Sequence, residues 1–318
     1  MKMVILDGEA LNPGDLSWEP IASQGELTVY PRTQTEALAA ERARDAEILF
    51  VNKTPVTDSL LSACPKVRLI IVLATGYNVV DCAAARRRNI PVCNIPAYGT
   101  AAVAQFAFAL ILELVNRVGV HDVSVHRGDW TVCPNFSYWL TPQTELAGKT
   151  LGIIGLGRIG QAVAKMGRAF GMEVLAYSRS RSSEGDAVAT YVELEELLAK
   201  SHIISLHCPL FPQTEKIVCR ENIAKMRDGV YLVNTSRGGL IDEEALLEAL
   251  QSGKIAGAAL DVVSTEPIPA DHILLSAPNC ILTPHMAWAP RESRGRIMTI
   301  AAENLRSFLA GTPINVVN

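Results

Sequence analysis

Short apolar runs alternate with amphipathic stretches along almost the whole chain of 318 residues. Runs of aliphatic and β-branched residues bounded by turn residues are typical of buried strands, and apolar positions three or four apart are typical of helices. In the first hundred residues, this pattern predicts strands at Val4–Leu6, Ile48–Val51, Leu69–Leu73 and Val92–Asn94. Helices are predicted at Thr35–Ala46 and Thr57–Ala63, each opening with a threonine that can cap it. Such alternation predicts a parallel sheet covered by helices on both faces.

The middle of the chain carries one long apolar stretch, Thr100–Val118, with helical spacing. It is apolar nearly all round, so we expect a single helix buried between two units. A segment rich in Pro and Trp, Gly128–Gly148, follows as a linker. A second strand–helix series starts at Lys149, with strands predicted at Thr150–Ile154, Glu173–Tyr177, Ile203–His207, Tyr231–Asn234, Ala256–Leu260 and Cys280–Leu282. Six such strands have the length and order of a complete dinucleotide-binding domain.

The two series predict an α/β chain of two doubly wound, parallel-sheet (Rossmann-like) domains with a cleft between them. The first, substrate-binding domain is expected to be discontinuous and to comprise residues 1–98 and 286–318. Its last part holds a predicted helix at about Arg291–Leu309. Residues 99–285 are expected to form the dinucleotide-binding domain, and the cleft would close on the substrate and exclude water.

Composition narrows the class of protein. Hydrophobic residues make up 49% and charged residues 19%, and the net charge of −4 gives no hint of a basic, nucleic-acid-binding face. The charge-free stretch from Asn89 to Leu112 is interrupted by prolines and falls short of the ~20 apolar residues of a membrane span. Seven cysteines, an odd number without CxxC or zinc spacing, indicate free thiols in a reducing compartment. We therefore expect a cytoplasmic protein without a bound metal.

The sequence GLGRIG, Gly155–Gly160, follows an apolar strand and precedes a helix predicted at Gln161–Phe170. In that context it predicts a pyrophosphate-binding turn. Gly155 permits the tight turn, Gly157 lets the backbone approach the phosphates, and Gly160 lets helix and strand pack closely. The helix N-terminus would add amides and partial positive charge.

The end of the next strand bears on the choice of cofactor. An NAD site places a carboxylate there for the ribose 2′-hydroxyl, but this chain has Ser178 and Arg179, followed by Ser180 and Arg181. Arginines and serines suit a 2′-phosphate, which a carboxylate would repel. The sequence therefore favours NADP(H), with NAD(H) as the alternative, and exposed arginines without a ligand remain a third interpretation.

Three polar residues follow predicted strand ends: Arg237 in NTSRGG, Glu266 in DVVSTEP and His285 in TPH. Ligands of open α/β sheets bind at the carboxyl ends of strands. Reduction of a keto acid needs a cation for the carboxylate, a proton donor for the carbonyl oxygen and a partner that tunes this donor. Arg237, His285 and Glu266 meet these needs in turn.

By these motifs the chain resembles the D-isomer-specific 2-hydroxyacid dehydrogenase family over nearly its whole length. GLGRIG, the run Leu206–Leu210, NTSRGG, DVVSTEP and TPH occur in the order that the family shows. The resemblance implies that Arg237 binds the substrate carboxylate and carbonyl, that His285 is the acid/base and that Glu266 supports it. It further implies backbone amides for the substrate carboxylate and a set of cofactor contacts. The amides are those of Thr75 and Gly76, and the cofactor contacts are Arg158, Ile159, Cys208, Pro209, Thr235 and Asp261.

Within the family, the chain is most similar to the glycerate dehydrogenase/hydroxypyruvate reductase branch. The sequence Ala74–Asn78, the sequence Val103–Gln105 and the sequence Ala287–Ala289 carry this likeness. It implies reduction of hydroxypyruvate or glyoxylate to D-glycerate or glycolate, and a homodimer formed through the Val103–Val118 helix and the segment after it. Gln105 and Ala287 depart from the family's more frequent Glu and Gly, so lactate, phosphoglycerate or phosphite remain alternative substrates. A nucleotide-sensing protein like the family's corepressors remains the alternative from another class.

Overall fold

The computed structural model describes all 318 residues. The chain divides into two compact units, Met1–Gly99 with Trp288–Asn318, and Thr100–Ala287, here called the first and second domains. The sequence-based bounds, 98/99 and 285/286, differ from these by one and two residues. Each domain is built on its own parallel sheet.

The strands of the first domain are β1 (Lys2–Ile5), β2 (Glu26–Val29), β3 (Ile48–Val51), β4 (Leu69–Val72) and β5 (Val92–Cys93). The strands of the second domain are β6 (Thr150–Ile154), β7 (Glu173–Tyr177), β8 (Thr190–Tyr191), β9 (Ile203–Leu206), β10 (Val230–Asn234), β11 (Ile255–Leu260) and β12 (Cys280–Leu282). Sequence analysis missed β2 and β8. Both are edge strands with no fully buried residue, so neither contains the apolar run that marks the central strands.

The helices of the first domain are α1 (Glu19–Ala22), α2 (Glu36–Ala43), α3 (Asp58–Ala63), α4 (Cys82–Arg87) and α12 (Arg291–Leu309). The helices of the second domain are α5 (Thr100–Asn116), α6 (Val118–His126), α7 (Arg158–Ala169), α8 (Ser183–Asp186), α9 (Leu194–Lys200), α10 (Arg220–Lys225) and α11 (Glu243–Ser252). The threonine caps were predicted correctly, because Thr35 and Thr57 accept hydrogen bonds from the amides of Leu38 and Leu60.

Both sheets are doubly wound, which confirms the predicted fold class. The first has the order β2-β1-β3-β4-β5 and the second β12-β11-β10-β9-β6-β7-β8, and all neighbouring strands are parallel. Strand order reverses between β1 and β3 in the first sheet and between β6 and β9 in the second. Open α/β sheets bind ligands at such reversal points.

In the first domain, the side chain of Asp7 occupies the reversal point. The Asp7 carboxylate, just after β1, accepts hydrogen bonds from the amides of Asn52, Lys53 and Thr54, which follow β3, at 2.8, 2.6 and 2.7 Å. These three amides are therefore already paired with an anion. No carboxylate of the chain occupies the reversal point of the second sheet in this way. That point is flanked by the glycine-rich turn.

The predicted single helix Thr100–Val118 is wrong at its C-terminal end. Arg117 adopts a left-handed conformation (φ 48°, ψ 45°), so α5 ends at Asn116 and α6 starts at Val118 with a bend of 58°. Helical periodicity continues through Arg117, which is why the break left no trace in the apolar pattern. No single helix has the length and apolarity to cross a membrane, although α5 and α6 taken together meet that test by length and composition.

Apolar side chains cover both faces of each sheet. In the first domain, α12 packs Ile297, Ala301 and Leu305 into one of the two clusters on β1, β3 and β4. Arg294 at the start of this helix is nearly buried and makes a bidentate pair with Asp15, with nitrogen–oxygen distances of 2.7 and 2.6 Å. This pair lowers the pKa of the Asp15 carboxyl, chiefly through the hydrogen bonds from Arg294. In the second domain, α5 and α7 pack together against one face of the sheet.

Candidate active site

The three predicted catalytic residues follow three neighbouring strands. Asn234 at the end of β10 pairs with Leu260 at the end of β11, which pairs with Leu282 at the end of β12. The strands therefore end at one level of the sheet. Arg237, Glu266 and His285 lie in the turns that leave this edge, within the second domain.

His285 and Glu266 form a direct pair. Nδ1 of His285 lies 2.6 Å from Oε2 of Glu266, and about a third of each side chain is exposed. A carboxylate can only accept a hydrogen bond, so Nδ1 carries the hydrogen and Nε2 is left for another partner. The second oxygen of Glu266, Oε1, accepts a 3.3 Å hydrogen bond from the amide of Val263. The imidazole is thus oriented by a carboxylate that is itself fixed by the backbone.

Asp261 holds the chain on either side of His285. Its buried carboxylate accepts hydrogen bonds from the Thr283 hydroxyl at 2.6 Å and from the amides of Met286 and Ala287 at 2.9 Å each. Its carbonyl oxygen accepts from the amide of His285 at 2.8 Å, where φ is 51°. These bonds hold His285 in a left-handed conformation that residues other than glycine rarely adopt. Two bonds end on Oδ1 and one on Oδ2, so Oδ2 can still accept another donor.

Arg237 is presented by a turn that a buried asparagine organises. Nδ2 of Asn234 donates to the carbonyl of Arg237 at 2.8 Å, and Oδ1 of Asn234 accepts from the amide of Ser236 at 2.9 Å. Nη1 of Arg237 donates to the carbonyl of Ser236 at 2.7 Å, and the guanidinium makes no ion pair within the chain. An exposed, unpaired guanidinium on a fixed turn is suited to a bidentate bond with a carboxylate.

The turns that carry Arg237 and Glu266 touch each other at Gly238. A Cβ atom at this position would lie 2.0 Å from both the carbonyl carbon and oxygen of Val263 and 2.4 Å from the amide nitrogen of Ser264. All of these atoms belong to the backbone, which cannot move aside as a side chain can. Glycine is therefore required at residue 238 for the two turns to be this close.

The GLGRIG turn has the geometry of a phosphate-binding turn. Gly155 has φ +98°, and a Cβ there would lie 2.4 Å from the amide nitrogen of Cys208, whereas a Cβ at Gly160 would lie 2.3 Å from the carbonyl oxygen of Gly155. Gly157 precedes α7 and has open space around it. The helix begins at Arg158, three residues earlier than predicted, so Arg158 and Ile159 form its first turn. Their amides lie where a helix N-terminus binds an anion.

Two buried polar atoms that follow neighbouring strands of the second sheet lack partners. Oγ1 of Thr235, after β10, and Nδ1 of His207, after β9, make no hydrogen bond within the chain. Buried polar groups without partners are rare in folded proteins and suit the polar edge of a bound ligand. Together with the glycine cradle, they fit a dinucleotide. The neighbouring Cys208 is buried, and burial raises the pKa of its thiol to about 11, while Pro209 is exposed.

The residues after β7 differ in where their side chains point. Ser178 is half-buried, and Arg179 extends over the ring of Phe211, with 5.6 Å from the guanidinium carbon to the ring centre. Phe211 follows β9, so Arg179 reaches across the reversal point of the sheet. Arg181 instead lies over Tyr191 in the edge strand β8, at 5.4 Å. The two arginine side chains therefore lie against different segments of the domain.

Thr75 and Gly76 belong to the first domain, directly after β4. The Thr75 hydroxyl donates to the carbonyl of Ile95 at 2.7 Å, and Nδ2 of Asn94 donates to the carbonyl of Thr75 at 2.8 Å. The amides of Thr75 and Gly76 make no hydrogen bond within the chain. The turn is thus fixed through its other polar groups while these two amides stay open to a ligand.

Sequence analysis missed two supporting residues. Asn234 was seen only as the start of NTSRGG, although a fully buried asparagine at a strand end must find hydrogen-bond partners nearby. Glu243, at the start of α11, was not singled out, although its carboxylate is mostly buried. The burial of these residues depends on distant segments and could not be read from local sequence.

Comparisons with known proteins agree with this geometry. Residues 108–287 match the model of the D-isomer specific 2-hydroxyacid dehydrogenase NAD binding domain. The chain is 54% identical to a hydroxypyruvate reductase of Blautia hydrogenotrophica over the full length of both, and 40% identical to a glycerate dehydrogenase of Methylorubrum extorquens, with 99% and 98% covered. It superposes on an acyclic imino acid reductase solved with NADPH and D-arginine with a TM-score of 0.86, 32% identity and full coverage of both chains.

The chain belongs to the D-isomer specific 2-hydroxyacid dehydrogenase family. The resemblance drawn from its motifs is thereby confirmed. It is an oxidoreductase that uses a nicotinamide cofactor.

Proposed function

We propose that this enzyme reduces hydroxypyruvate or glyoxylate to D-glycerate or glycolate. The observation that carries the proposal is the His285–Glu266 pair, at 2.6 Å, on a strand edge shared with the unpaired Arg237. Such a set can hold a carboxylate and deliver a proton to a carbonyl oxygen. The names of the relatives at 54% and 40% identity support these substrates.

In this reaction Arg237 binds the carboxylate of the keto acid and orients its carbonyl group. Nε2 of His285 donates a proton to the carbonyl oxygen, while Glu266 stabilises the protonated ring through Nδ1. The nicotinamide, when bound, supplies the hydride that reduces the carbonyl carbon. From the family resemblance we also assign the amides of Thr75 and Gly76 to the substrate carboxylate. Oxidation of the hydroxy acid uses the same groups with His285 as the base.

We further assign the dinucleotide to the reversal point of the second sheet. Gly155, Gly157 and Gly160 would hold its pyrophosphate with the amides of Arg158 and Ile159. The remaining contacts are assigned by the family resemblance to Cys208, Pro209, Thr235 and Asp261. The unpartnered Thr235 hydroxyl and the free acceptor site on Oδ2 of Asp261 support this assignment.

A keto-acid panel tests the substrate. With hydroxypyruvate, glyoxylate, pyruvate and 3-phosphohydroxypyruvate at equal concentration, oxidation of the reduced cofactor is followed at 340 nm. We expect kcat/KM to be highest for hydroxypyruvate or glyoxylate. A clear preference for pyruvate or for the phosphorylated acid would reject the proposed substrates, and a protein inactive on every keto acid would indicate a nucleotide-sensing role.

We propose that NADP(H) is preferred over NAD(H). No carboxylate follows β7, Ser178 and Arg179 can donate to a 2′-phosphate, and Arg179 makes no ion pair within the chain. A charge-assisted hydrogen bond contributes ~1.5–3 kcal/mol, so one such bond should favour NADPH by roughly tenfold or more. We expect Arg179→Ala to abolish this preference and Arg181→Ala, whose side chain lies over Tyr191, to retain it. An NADH preference in the wild type would reject the proposal.

We propose that the enzyme is a homodimer formed through the predicted helix, which the structure divides into α5 and α6, and the segment after it. This region exposes a run of large apolar side chains, and an exposed patch of this kind marks an interaction surface. Its members are Val118, Val120, Val123, Val125, Trp130, Val132, Phe136, Trp139 and Leu140. Light scattering at micromolar concentration should give twice the chain mass, and Phe136→Ser with Trp139→Ser should lower it. Leu275→Ser, at an exposed apolar residue elsewhere, is the matched control. A monomeric wild type would contradict the proposal.

We also propose that the enzyme works in the cytoplasm. All seven cysteines are free thiols, which a reducing compartment preserves. Fractionation of cells that express the chain should recover the activity in the cytosolic fraction. Recovery in a membrane or extracellular fraction would contradict this assignment.

A further inference from the structure

Glu243 carries a mostly buried carboxylate that the reaction does not use. Its Oε1 accepts a hydrogen bond from the amide of Ser264 at 2.8 Å, and its Oε2 accepts from the hydroxyl of Ser264 at 2.6 Å. Nε2 of His272 lies 3.2 Å from the same Oε2. The side chains of Glu243 and His272 are only 13% and 9% exposed. Three donors therefore converge on one shielded carboxylate.

The tautomer of His272 follows from its second contact. Nδ1 of His272 accepts a hydrogen bond from the amide of Leu274 at 3.3 Å, so this nitrogen carries no hydrogen. The ring hydrogen must then lie on Nε2, where it is donated to Glu243. His272 therefore acts as a neutral donor, and both of its nitrogens are used in holding the segment between Ser264 and Leu274.

This segment contains Glu266, two residues after Ser264. Oε1 of Glu266 accepts from the amide of Val263, which precedes Ser264, so the carboxylate of Glu266 is fixed to the turn that Glu243 holds. Oε2 of Glu266 is the atom bonded to His285. The close approach of Gly238 to Val263 and Ser264 fixes the same turn from the other side. Displacement of Ser264 would therefore also displace the carboxylate of Glu266, which orients the imidazole of His285.

We propose that Glu243 is a positioning residue of the active site, which aligns Glu266 with His285 by binding both polar groups of Ser264. The proposal rests on the proposed function only for its kinetic readouts. Glu243 begins α11, six residues after Arg237, so its carboxylate also joins the segment that carries Arg237 to the one that carries Glu266. Arg237 itself is also held by Asn234, through a hydrogen bond that does not involve Glu243.

Glu243→Gln keeps the shape of the side chain but replaces one acceptor oxygen by an NH2 group. The single amide oxygen can take the place of Oε1 or of Oε2, but not of both. The variant therefore loses either the bond from the amide of Ser264 or the bonds from the Ser264 hydroxyl and His272. A displacement of about 1 Å at an orienting residue can cost up to ~10²-fold in rate, and we expect about a 10-fold loss of kcat for this partial release of the turn. KM for the keto acid and the Kd of the cofactor should stay within about twofold, because Arg237 and the glycine-rich turn are untouched.

The pH profile separates positioning from a merely structural role. Keto-acid reduction needs a protonated His285, and Glu266 stabilises that form. A misaligned Glu266 stabilises it less, so the alkaline midpoint of the kcat profile should move to lower pH in Glu243→Gln, by about one unit at most. The other ionisable groups on the facing segments are His272, Arg237, Asp261 and the Lys216–Asp242 pair. Of these only His272 contacts Glu243, and Ser264→Ala leaves that contact in place.

The experiment compares Glu243→Gln and Ser264→Ala with Glu244→Gln, which removes the same charge from the next, exposed residue of the helix. Ser264→Ala removes only the hydroxyl donor and serves if Glu243→Gln does not fold. We expect both test variants to lower kcat and shift the profile, the double variant to be less than additive, and Glu244→Gln to match the wild type. Wild-type kcat and profile in both test variants, or a lower kcat with an unmoved profile, would overturn the proposal.

A second readout needs no turnover. The ring nitrogens of His285 can be titrated by ¹⁵N NMR, with the resonances assigned from His285→Gln. The titration midpoint should fall in Glu243→Gln and stay unchanged in Glu244→Gln. An equal titration midpoint in the wild type, Glu243→Gln and Glu244→Gln would reject the positioning role. Because this measurement needs no turnover, it would do so even if the wild type reduced none of the keto acids. The positioning role and the proposed function can therefore fail separately.

Discussion

The contact at Gly238 allows a sharp test of how the catalytic turns are held together. In Gly238→Ala the new Cβ atom would lie 2.0 Å from two backbone atoms of Val263, whereas non-bonded carbon atoms prefer ~3.5–4.0 Å. The turns that carry Arg237 and Glu266 must then separate by about 1.5 Å at this contact. Overpacking of this kind costs about 1–3 kcal/mol of stability.

The effect on catalysis should be comparable in free energy to the effect on folding. A misplacement of about 1 Å can reduce the rate about 10²-fold, which corresponds to ~2.7 kcal/mol of transition-state stabilisation. Gly239→Ala is the matched control, because a Cβ there would meet Cδ2 of Leu210 at 2.9 Å, and this side chain is 42% exposed and free to rotate. We expect Gly239→Ala to change stability by less than about 0.5 kcal/mol.

The assay combines kcat/KM for hydroxypyruvate with urea unfolding of the wild type and both alanine variants. We expect kcat/KM to fall about 10²-fold in Gly238→Ala and to stay within about twofold in Gly239→Ala. Wild-type kcat/KM in Gly238→Ala would show that the two turns need not be in contact for catalysis. Equal losses in both variants would show that any bulk in this motif is harmful and that the contact with Val263 is not the cause.

Three further predictions follow from the site and its surroundings. His285→Ala should lose ~10²–10⁴-fold in kcat while fluorescence titration shows unchanged cofactor binding, and near-normal turnover would remove His285 as the proton donor. Arg237→Lys should raise KM for the keto acid steeply, because an ammonium cannot make the bidentate bond, and an unchanged KM would contradict the anchoring role. Burial lowers the pKa of His207 from 6.5 to about 4. As the pH falls, the unfolded chain therefore binds the proton first. The free energy of unfolding that His207 contributes above pH 6.5 is then lost toward pH 4. Between pH 7 and 5 the loss is at most about 2 kcal/mol, since His207 as a whole is only half-buried. Urea unfolding should show a smaller loss in His207→Gln, and equal losses would reject this origin.

The amino-acid sequence by itself determined the order of the central strands along the chain and the residues that carry chemistry. Buried parallel strands need continuous apolar runs, and the phosphate-binding turn needs glycines at fixed spacing, so both are written in local sequence. Arg237, Glu266 and His285 could be found because each follows a strand whose end was predicted. The family likeness carried by their motifs then pointed to the substrate class.

Only the tertiary structure decided which side chains hold these groups in place. Glu243 and Ser264, or Asp261 and Thr283, are about twenty residues apart and meet because neighbouring strands end at one edge of the sheet. The sequence likewise left the directions of Arg179 and Arg181 undecided, because both residues lie in one loop. In the structure, Arg179 lies over Phe211 and Arg181 lies over Tyr191. The physical reason is that periodicity encodes which face of an element is buried, whereas hydrogen-bond partners are set by how the elements pack.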